Sequence, residues 1–370
     1  MIIGCLKEIK DQEYRVGLTP LDVIEYINHG HEVLVESKAG AGIDISDEEY
    51  IKAGAKILTK EEIFEKAGMI IKVKEPIESE YKYFKKGQIL YTYLHLAADE
   101  KLTKILIDKE ISAFAYETIQ EGKNLPCLAP MSAIAGRLAV IQGCKYLEKT
   151  YGGNGMLLSG LTGVKKGKVV ILGSGMVGLN AAQLAFGMGA EVVILGRDAN
   201  RLDYIDHVFN GKITTLYSNI SNILDSIKDA DVVIGAALVP GAKTPKLLSR
   251  KHLKHMKKGA VIVDVAIDQG GCFETSRATT HTNPIYEVDG IIHYAVGNMP
   301  GAVAKTATLA LLNATTPYGI KIANLGVIGA ITCFESLRYG LNTHKGHCTH
   351  EGVANAFNLE YFNPKNFIAM

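Results

Sequence analysis

The feature that most constrains the fold of this chain is a glycine-rich turn between an apolar strand and a helix. The apolar run at 168–172 leads into Gly173, Gly175 and Gly178, and a helical pattern follows that ends at Gly189. The first glycine permits a tight turn, the second lets the backbone approach a bound group, and the third lets helix and strand pack closely. In this context the motif predicts a dinucleotide-binding βαβ unit, because the free N–H groups of a helix N-terminus bind a pyrophosphate.

Apolar runs alternate with helical patterns along most of the chain. Helices are predicted at 98–109, 132–149 and 305–323, and Thr19 followed by Pro20 is typical of a helix start. Strands are predicted in two series, at 2–6, 32–36, 69–74, 88–94 and 111–116, and then at 168–172, 191–195, 212–217, 231–236, 260–266 and 291–296. This rhythm predicts an α/β fold with two domains, each a parallel sheet with helices on both faces.

The strand pattern changes near 124–126, where we expect a domain boundary. No further strand series is predicted after Pro300, so the C-terminal tail is expected to pack on the first domain. A chain of 370 residues fits two domains, since a single domain holds about 100–200 residues.

Composition and charge exclude several classes of function. Lys plus Arg total 40 and Asp plus Glu total 39, and this balance argues against a nucleic-acid binder or a polybasic membrane-surface protein. The uncharged stretch at 169–190 is long enough for a bilayer, but its glycines and polar residues fit a buried strand and helix, so no membrane span is predicted. The six cysteines form no C-x-x-C pair, and charges interrupt the N-terminal apolar run, so we expect a cytoplasmic protein without a disulfide framework.

The position that discriminates between nicotinamide cofactors is ambiguous. About twenty residues after the first glycine, an acidic side chain normally binds the adenosine ribose of NAD. Gly196 occupies this position, and Arg197 and Asp198 follow it. Asp198 suits ribose recognition and Arg197 suits the 2′-phosphate of NADP, while both are also compatible with a solvated turn. NAD and NADP therefore both stay open.

Polar residues follow several predicted strands, at the edge where parallel sheets bind ligands. Arg15 lies after the first strand, Lys74 and His95 close two later ones, and Asp268 follows the strand at 260–266. Each residue could instead have a purely structural role. Arg15 could be a surface charge, and Lys74 could keep a strand end soluble. His95 could be a hydrogen-bonded core histidine, and Asp268 could stabilise a turn or cap a helix. Together, two cations that can hold a carboxylate, a proton carrier and an acid suit the oxidation of a small acid.

Seven stretches, spread along the chain, share a pattern with a known family: KEIKDQEYRVGLTP, IKVKEP, YLHLAA, LAPMSAIAGR, VPGAKTPKL, DVAIDQGGCFE and VGNMPGAVAKTATLALLNAT. Over essentially its whole length the chain resembles the bacterial L-alanine dehydrogenase family, which shares its fold with transhydrogenase alpha subunits. This resemblance implies a discontinuous catalytic domain, 1–127 with 306–370, around a central Rossmann domain at 128–305, in a homohexamer. It also implies that L-alanine, NAD and water give pyruvate, ammonium and NADH. We expect no catalytic metal, because positioning and a proton carrier are enough for hydride transfer to a nicotinamide.

The resemblance assigns roles to individual residues. Arg15 and Lys74 are expected to bind the substrate, His95 to be the general acid/base, and Asp268 to be a second catalytic residue. The family usually carries Asp at the position of Gly196, so its NAD preference does not transfer directly. The candidate cofactor-binding residues are Ser132, Gly173, Gly175, Met176, Val177, Gly178, Arg197, Asp198, Arg201, Ser218, Leu238, Val265, Ala266, Ile267, Asp268, Val296, Gly297, Asn298 and Met299.

Two alternatives to the dehydrogenase stay open. A soluble transhydrogenase-like nucleotide-binding unit and a non-enzymatic NAD(P)-sensing protein would share the same fold.

The C-terminal tail contains one further motif. Its histidines His344, His347 and His350 form an H-x-x-H-x-x-H segment that suggests a metal site, although Gly346 and Gly352 favour a solvated loop there.

Overall fold

The computed structural model describes residues 1–237 and 244–368. The strands of these residues are β1 Ile2–Cys5, β2 Glu32–Glu36, β3 Lys56–Leu58, β4 Met69–Ile71, β5 Ile89–Thr92, β6 Ser112–Ala115, β7 Lys168–Leu172, β8 Glu191–Gly196, β9 Thr214–Tyr217, β10 Val232–Gly235, β11 Val261–Asp264, β12 Ile285–Val288, β13 Ile291–Tyr294, β14 Leu341–His344 and β15 His347–Cys348. The helices are α1 Pro20–Asn28, α2 Asp47–Lys52, α3 Lys60–Lys66, α4 Glu78–Tyr81, α5 Glu100–Asp108, α6 Ala129–Tyr146, α7 Met176–Gly187, α8 Ala199–Val208, α9 Ile220–Ile227, α10 Ala304–Cys333, α11 Glu335–Gly340 and α12 Glu351–Phe357.

The chain divides into two compact units. Unit 1 contains residues Met1–Met131 and Gly301–Met370, and unit 2 contains Ser132–Pro300. Each unit is built on one sheet with helices, so the predicted α/β class is confirmed. Both sheets are dominated by parallel strands, as predicted, and become mixed only through a few added strands. Strands β14 and β15 in unit 1 and β12 in unit 2 join their neighbours in antiparallel orientation.

The sheet of unit 1 has the strand order β15-β14-β6-β5-β4-β1-β2-β3. Strands β1 to β6 are all parallel, and their central members are buried apolar runs, as expected for a sheet covered on both faces. One apolar core of this unit includes Leu6, Ile70, Leu90 and Phe64. The carboxyl ends of β1, β4 and β5 therefore lie side by side at one edge of this sheet.

The sheet of unit 2 has the strand order β12-β13-β11-β10-β7-β8-β9. The chain runs outward from β7 through β8 to β9, and then returns to place β10 on the other side of β7. This reversal is the switch point at which doubly wound sheets bind ligands, and the glycine-rich turn follows β7 at that point. The core here packs Val170, Leu172 and Val233 against Phe273.

Several sequence predictions need correction. The strand predicted at 69–74 ends at Ile71, because the amide of Val73 turns away from the ladder and donates to Glu8 Oε1 at 2.6 Å. Strands β3 and β12 were not predicted, since their short and partly exposed segments give little periodic signal. The helix predicted at 305–323 continues to Cys333, with a kink at Gly326, whose φ is 65°.

The C-terminal tail also differs from the predicted loop. Strands β14 and β15 form a hairpin around Lys345 and Gly346, and Gly352 lies inside α12. The hairpin extends the sheet of unit 1 beside β6, so the tail adds to that sheet two strands that the sequence did not predict. No helix in the described residues has the length and apolar character needed to cross a membrane.

A buried charge cluster lies beneath the edge of the unit 1 sheet. The side chain of Lys72 is 1% exposed, and its Nζ lies 3.4 Å from Glu8 Oε2 and 3.0 Å from Glu80 Oε1. Burial acts to lower the pKa of Lys72, but the two carboxylates outweigh this effect and raise it. The ammonium therefore stays charged and pairs with two buried acids, while burial raises the pKa of Glu8.

We expect Lys72→Met to destabilise unit 1 by about 3–5 kcal/mol, because the change leaves Glu8 and Glu80 buried without their cation. The urea midpoint of unfolding measures this loss. Lys56→Met is the matched control, since it removes an exposed ion pair with Glu32 and is expected to cost less than about 1 kcal/mol. Equal midpoint shifts in the two variants would contradict the proposed role of Lys72.

Candidate functional site

Three of the residues singled out in the sequence lie at the same edge of the unit 1 sheet. Arg15 is in the segment between β1 and α1, Lys74 follows β4, and His95 follows β5. Because β1, β4 and β5 are adjacent and parallel, the segments that leave their carboxyl ends meet at this edge. Asp268 belongs to unit 2 and is described with that unit.

The guanidinium of Arg15 is buried and held in one orientation. It is 2% exposed, and its Nε and Nη2 donate to the two carboxylate oxygens of Glu13, each at 2.6 Å. Its Nη1 lies 3.1 Å from Sδ of Met131. Burial acts to lower the pKa of Arg15, but the hydrogen bonds and charge of Glu13 outweigh it and raise the pKa. The bidentate pair thus fixes the plane of a permanent cation.

The backbone at Lys74 is held in place by the buried carboxylate of Glu8. Oε1 of Glu8 accepts hydrogen bonds from the amides of Val73 at 2.6 Å and Lys74 at 3.3 Å. The next residue, Glu75, is also placed among cations. Burial acts to raise the pKa of Glu75, but the positive charges of its neighbours Lys74, Lys10 and His95 outweigh it and lower the pKa.

His95 has an unusual backbone and an exposed imidazole. Its φ is 50° and its ψ is 36°, the left-handed conformation that side chains with a Cβ rarely adopt. Its ring stacks on that of Tyr93, with 5.9 Å between centroids and an interplanar angle of 7°. Burial raises the pKa of Tyr93, and the charge of Arg15 opposes this increase. Tyr93 therefore lies beside both Arg15 and His95.

The glycine-rich turn in unit 2 has the geometry that a bound pyrophosphate requires. Gly173 has a φ of 130°, and a Cβ on Gly178 would lie 1.9 Å from the carbonyl oxygen of Gly173. Apart from its two chain neighbours, no described residue has an atom within 4 Å of the Cβ position of Gly175, so this position leaves room for a ligand. The N-cap residue Gly175 has no side chain that could cap α7, and Met176 and Val177 begin this helix. The first-turn amides of α7 can therefore bind phosphate oxygens.

The end of β8, where the ribose would bind, carries no acid on the strand itself. Oγ of Ser174 fills the space beside Gly196, 2.2 Å from the position a Cβ would take there. Asp198 caps α8 by accepting from the amide of Arg201 at 3.2 Å, while Arg197 is exposed. Arg201 Nε donates to the carbonyl oxygen of Ser174 at 2.9 Å. Two arginines, one carboxylate and one hydroxyl thus lie around this end.

Asp268 and the segment after β13 come together in unit 2. The amide of Asn298 donates to Asp268 Oδ2 at 3.4 Å, and a Cβ on Gly297 would lie 2.7 Å from Asp268 Oδ1. Asp268 is exposed. The flanking candidates are more enclosed, with Ala266, Ile267, Val296 and Met299 buried and Val265 half-buried.

Asp264 closes the base of the loop that carries Asp268. Its carboxylate accepts from the amides of Ala266 at 3.2 Å and Cys272 at 2.8 Å, and from the hydroxyl of Ser276 at 2.5 Å. Burial raises the pKa of Asp264, and these hydrogen bonds oppose the increase. The loop from 265 to 271 therefore has a fixed beginning and a fixed end.

The remaining candidates have simple placements. Ser218 follows β9, and its amide donates to the carbonyl oxygen of Gly196 at 2.8 Å. Ser132 lies on α6 one turn before Gly136, whose Cβ position is 2.2 Å from the carbonyl oxygen of Val177 at the start of α7. Leu238 lies outside the described residues. Apart from Leu238 and Ser132, the cofactor candidates thus follow the carboxyl ends of the strands of unit 2 or begin the helices after them.

The three tail histidines have separate structural contacts. Nδ1 of His344 lies 2.8 Å from Ser112 Oγ, the ring of His347 stacks on Phe362, and His350 Nδ1 accepts from the amide of Val353 at the start of α12. In residues 1–237 and 244–368, no three His, Cys, Asp or Glu side chains are grouped to hold a metal ion.

Sequence reasoning missed the residues that hold the candidates in place, namely Glu8, Glu13, Tyr93, Glu117 and Asp264. Glu13 and Asp264 lie close in sequence to the candidates they serve, so their spacing offered a local signal. Glu8 and Glu117 lie 66 and 22 residues from the backbone amides of Lys74 and His95 to which they bond. No periodic pattern connects positions so far apart.

Both parts of the chain match one protein family. Residues 4–135 match the family described as alanine dehydrogenase/PNT, N-terminal domain, and residues 139–351 match its C-terminal domain. The alanine dehydrogenase of Bacillus subtilis strain 168 is 52% identical over 362 residues, covering 98% of this chain and 96% of that protein. Alanine dehydrogenase 2 of Staphylococcus aureus strain USA300 is 51% identical over 363 residues, covering 98% of each.

Solved structures agree with these matches. A structure of an L-alanine dehydrogenase has a TM-score of 0.93 and 47% identity, and the match covers 97% of this chain and 99% of that one. A transhydrogenase from Sinorhizobium meliloti has a TM-score of 0.80 at 24% identity, covering 95% and 99%. The second match shows a shared fold alone, and the resemblance that the sequence motifs carry is confirmed.

The buried tail histidine gives a prediction on stability and pH. His344 is 5% exposed, and burial lowers its pKa from 6.5 to about 4. The unfolded chain therefore binds a proton that the folded chain does not, and stability falls as the pH drops from 6.5 towards 4. We expect His344→Asn to reduce this fall in unfolding free energy by about 3 kcal/mol at pH 4. Urea midpoints across the pH range measure it.

The exposed neighbour His347 supplies the control for this prediction. His347→Gln alters the same hairpin at an exposed position and is expected to leave the pH profile as in the wild type. Parallel profiles for the His344 variant and the wild type would show that His344 does not carry the effect.

Proposed function

The chain belongs to the alanine dehydrogenase/PNT family, and we propose that it catalyses the reversible oxidative deamination of L-alanine. Alanine, NAD and water give pyruvate, ammonium, NADH and a proton. The observation that carries this proposal is the meeting of Arg15, Lys74 and His95 at one sheet edge, in a chain 52% identical to an alanine dehydrogenase over almost its full length.

Arg15 and Lys74 bind the substrate in this proposal. The guanidinium of Arg15 binds the substrate carboxylate, and its pair with Glu13 sets the angle at which the carboxylate must approach. Lys74 binds the oxygen that becomes the carbonyl of pyruvate. Its ammonium stabilises negative charge on that oxygen, and Glu8 holds the backbone from which the side chain extends.

His95 moves protons in this proposal. A nicotinamide cofactor held by unit 2 would supply the acceptor for the hydride of alanine Cα. Water then attacks the iminium carbon of the substrate, and His95 removes a proton from that water and returns it to the departing amine. An exposed imidazole can both accept and donate a proton, which suits both transfers. Asp268 is proposed as a second catalytic residue, on the cofactor unit.

The cofactor is held by the glycine-rich turn and the strand ends of unit 2 in this proposal. The amides at the start of α7 bind the pyrophosphate, and residues 196–201 with Ser218 surround the adenosine ribose. We propose NAD as the physiological cofactor. Because Gly196 supplies no carboxylate and Arg197 lies beside it, we expect only weak discrimination against NADP.

The partners are small molecules, and we propose a cytoplasmic homohexamer. Exposed apolar side chains on α1 and α10, including Leu21, Leu309 and Leu325, are consistent with surfaces that other copies cover. The near balance of acidic and basic residues is consistent with a protein that does not bind nucleic acid.

Alanine-dependent formation of NADH by the purified protein tests the function directly. Initial rates with alanine, serine and 2-aminobutyrate define the substrate preference. A non-enzymatic sensor would bind NADH without producing it. A transhydrogenase-like unit would pass hydride only between two nucleotides. Either result would overturn the proposed reaction.

The proposed role of His95 predicts the effect of one substitution. His95→Gln is expected to lower turnover by about 10²–10⁴-fold, because a general acid/base contributes that much. The NADH dissociation constant, measured by fluorescence, is expected to stay within about twofold. His255→Gln, at an exposed position of unit 2, is the control and is expected to keep full turnover. Unchanged turnover in His95→Gln would remove His95 from the mechanism.

Cofactor selectivity gives a second prediction. Gly196→Asp alone would force its Cβ against Oγ of Ser174, 2.2 Å away, so we pair it with Ser174→Gly. The double variant is expected to raise the ratio of kcat/KM for NAD over NADP by about tenfold or more, because a carboxylate binds the ribose hydroxyls and repels a 2′-phosphate. Ser174→Gly alone is the control. An unchanged ratio in the double variant would show that selectivity is set elsewhere.

A further inference from the structure

The conformation of His95 depends on an acid from a neighbouring strand. Strand β6 pairs with β5 in parallel, and the turn Tyr116–Thr118 follows β6 directly. Oε1 of Glu117 accepts from the amide of His95 at 2.6 Å. The two carboxylate oxygens of Glu117 lie 3.3 and 3.2 Å from the amide nitrogen of Leu94. One carboxylate thus binds two successive amides at the point where the chain enters the left-handed conformation.

This conformation has a cost that the hydrogen bonds offset. A residue with a Cβ at a φ of 50° is unfavourable unless its surroundings hold it there. The amides of Leu94 and His95 converge on Glu117, and the carbonyl oxygen of His95 accepts from Ala98 to close the following turn. The turn Leu96–Ala98 packs against α12. The imidazole direction therefore follows from a backbone that Glu117 fixes.

The two chain neighbours of Glu117 are held in place by packing and hydrogen bonds within unit 1. Its neighbour Tyr116 is 1% exposed, packs edge-on against Tyr93, and donates its hydroxyl to the carbonyl oxygen of Lys72 at 3.1 Å. On the other side, Thr118 Oγ1 accepts from Asn342 Nδ2 at 2.7 Å. Tyr93 in turn stacks on His95. The carboxylate of Glu117 and the ring of Tyr93, which both contact His95, are therefore held in place by the same segment around Tyr116.

We propose that Glu117 is a positioning residue for the reaction: it fixes the backbone of His95 so that the imidazole points in the direction that proton transfer requires. This inference rests on the proposed function. Glu117 touches neither substrate nor cofactor in this proposal, and it acts only through His95.

A double-mutant cycle with Glu117→Gln and His95→Gln tests the inference. The glutamine keeps the side-chain volume and one acceptor oxygen but presents an NH₂ group to the second amide. Glu117→Gln is expected to lower kcat by about ten- to a hundredfold, because small misplacements of a catalytic group have that effect. KM for alanine and the NADH dissociation constant are expected to change less than about twofold. In the His95→Gln background, the same change is expected to cost less than about twofold more.

Two further variants frame this result. Glu351→Gln changes an exposed acid on α12, the helix that packs on the same turn, and is expected to leave kcat unchanged in both backgrounds. Glu117→Ala removes both acceptors and is expected to lose at least as much turnover as the glutamine variant. If the alanine variant does not fold, the double-mutant cycle with Glu117→Gln still tests whether Glu117 acts through His95.

The outcomes separate the inference from the proposed function. If the wild type forms NADH from alanine but Glu117→Gln keeps full turnover, the inference is overturned and the function stands. Multiplicative losses in the cycle overturn it as well, because Glu117 would then act independently of His95. If the wild type forms no NADH from alanine, the proposed function fails first, and the positioning role falls with it.

Discussion

The structure depends on buried or half-buried carboxylates that accept hydrogen bonds from backbone amides beyond the ends of parallel strands. Where a strand leaves its ladder, its amides lose their partners, and an unpaired buried amide is costly. Glu8, Glu117 and Asp264 each bind two such amides. The loops that they fix carry the candidate site residues Lys74, His95 and Asp268. In both units, the same kind of carboxylate–amide hydrogen bond therefore supplies acceptors for free backbone amides and fixes the loops that carry the candidate side chains.

The central architecture could be predicted from the sequence because its signals are local. Buried parallel strands read as apolar runs, and the glycine-rich turn needs only its own glycines to be recognised, since a Cβ on Gly178 would meet the backbone of Gly173. The edges of both sheets could not be predicted in the same way. Strands β3, β12 and β15 are short and partly exposed, and they exist because a longer neighbour offers them hydrogen bonds. That dependence on a distant partner leaves no periodic trace.

The candidate site shows the same division between local and distant signals. Arg15, Lys74 and His95 were found because polar residues after parallel strands converge at one edge. The conformation of His95 could not be predicted, since the left-handed turn is stabilised by an acid 22 residues away. At the end of β8, Gly196 carries no side chain, and only the structure shows Ser174 occupying the space that a side chain there would need. The two positions have to be considered together when selectivity is altered.

The hairpin of β14 and β15 has a consequence for how the protein is made. It pairs with β6, so the sheet of unit 1 joins residues 112–115 to residues 341–344. During synthesis on the ribosome, more than half of the chain is made after β6 and before its partner β14. The contiguous unit 2 emerges entirely within this interval. A nascent chain thus exposes an unpaired edge over this interval, and co-translational assistance is most needed there.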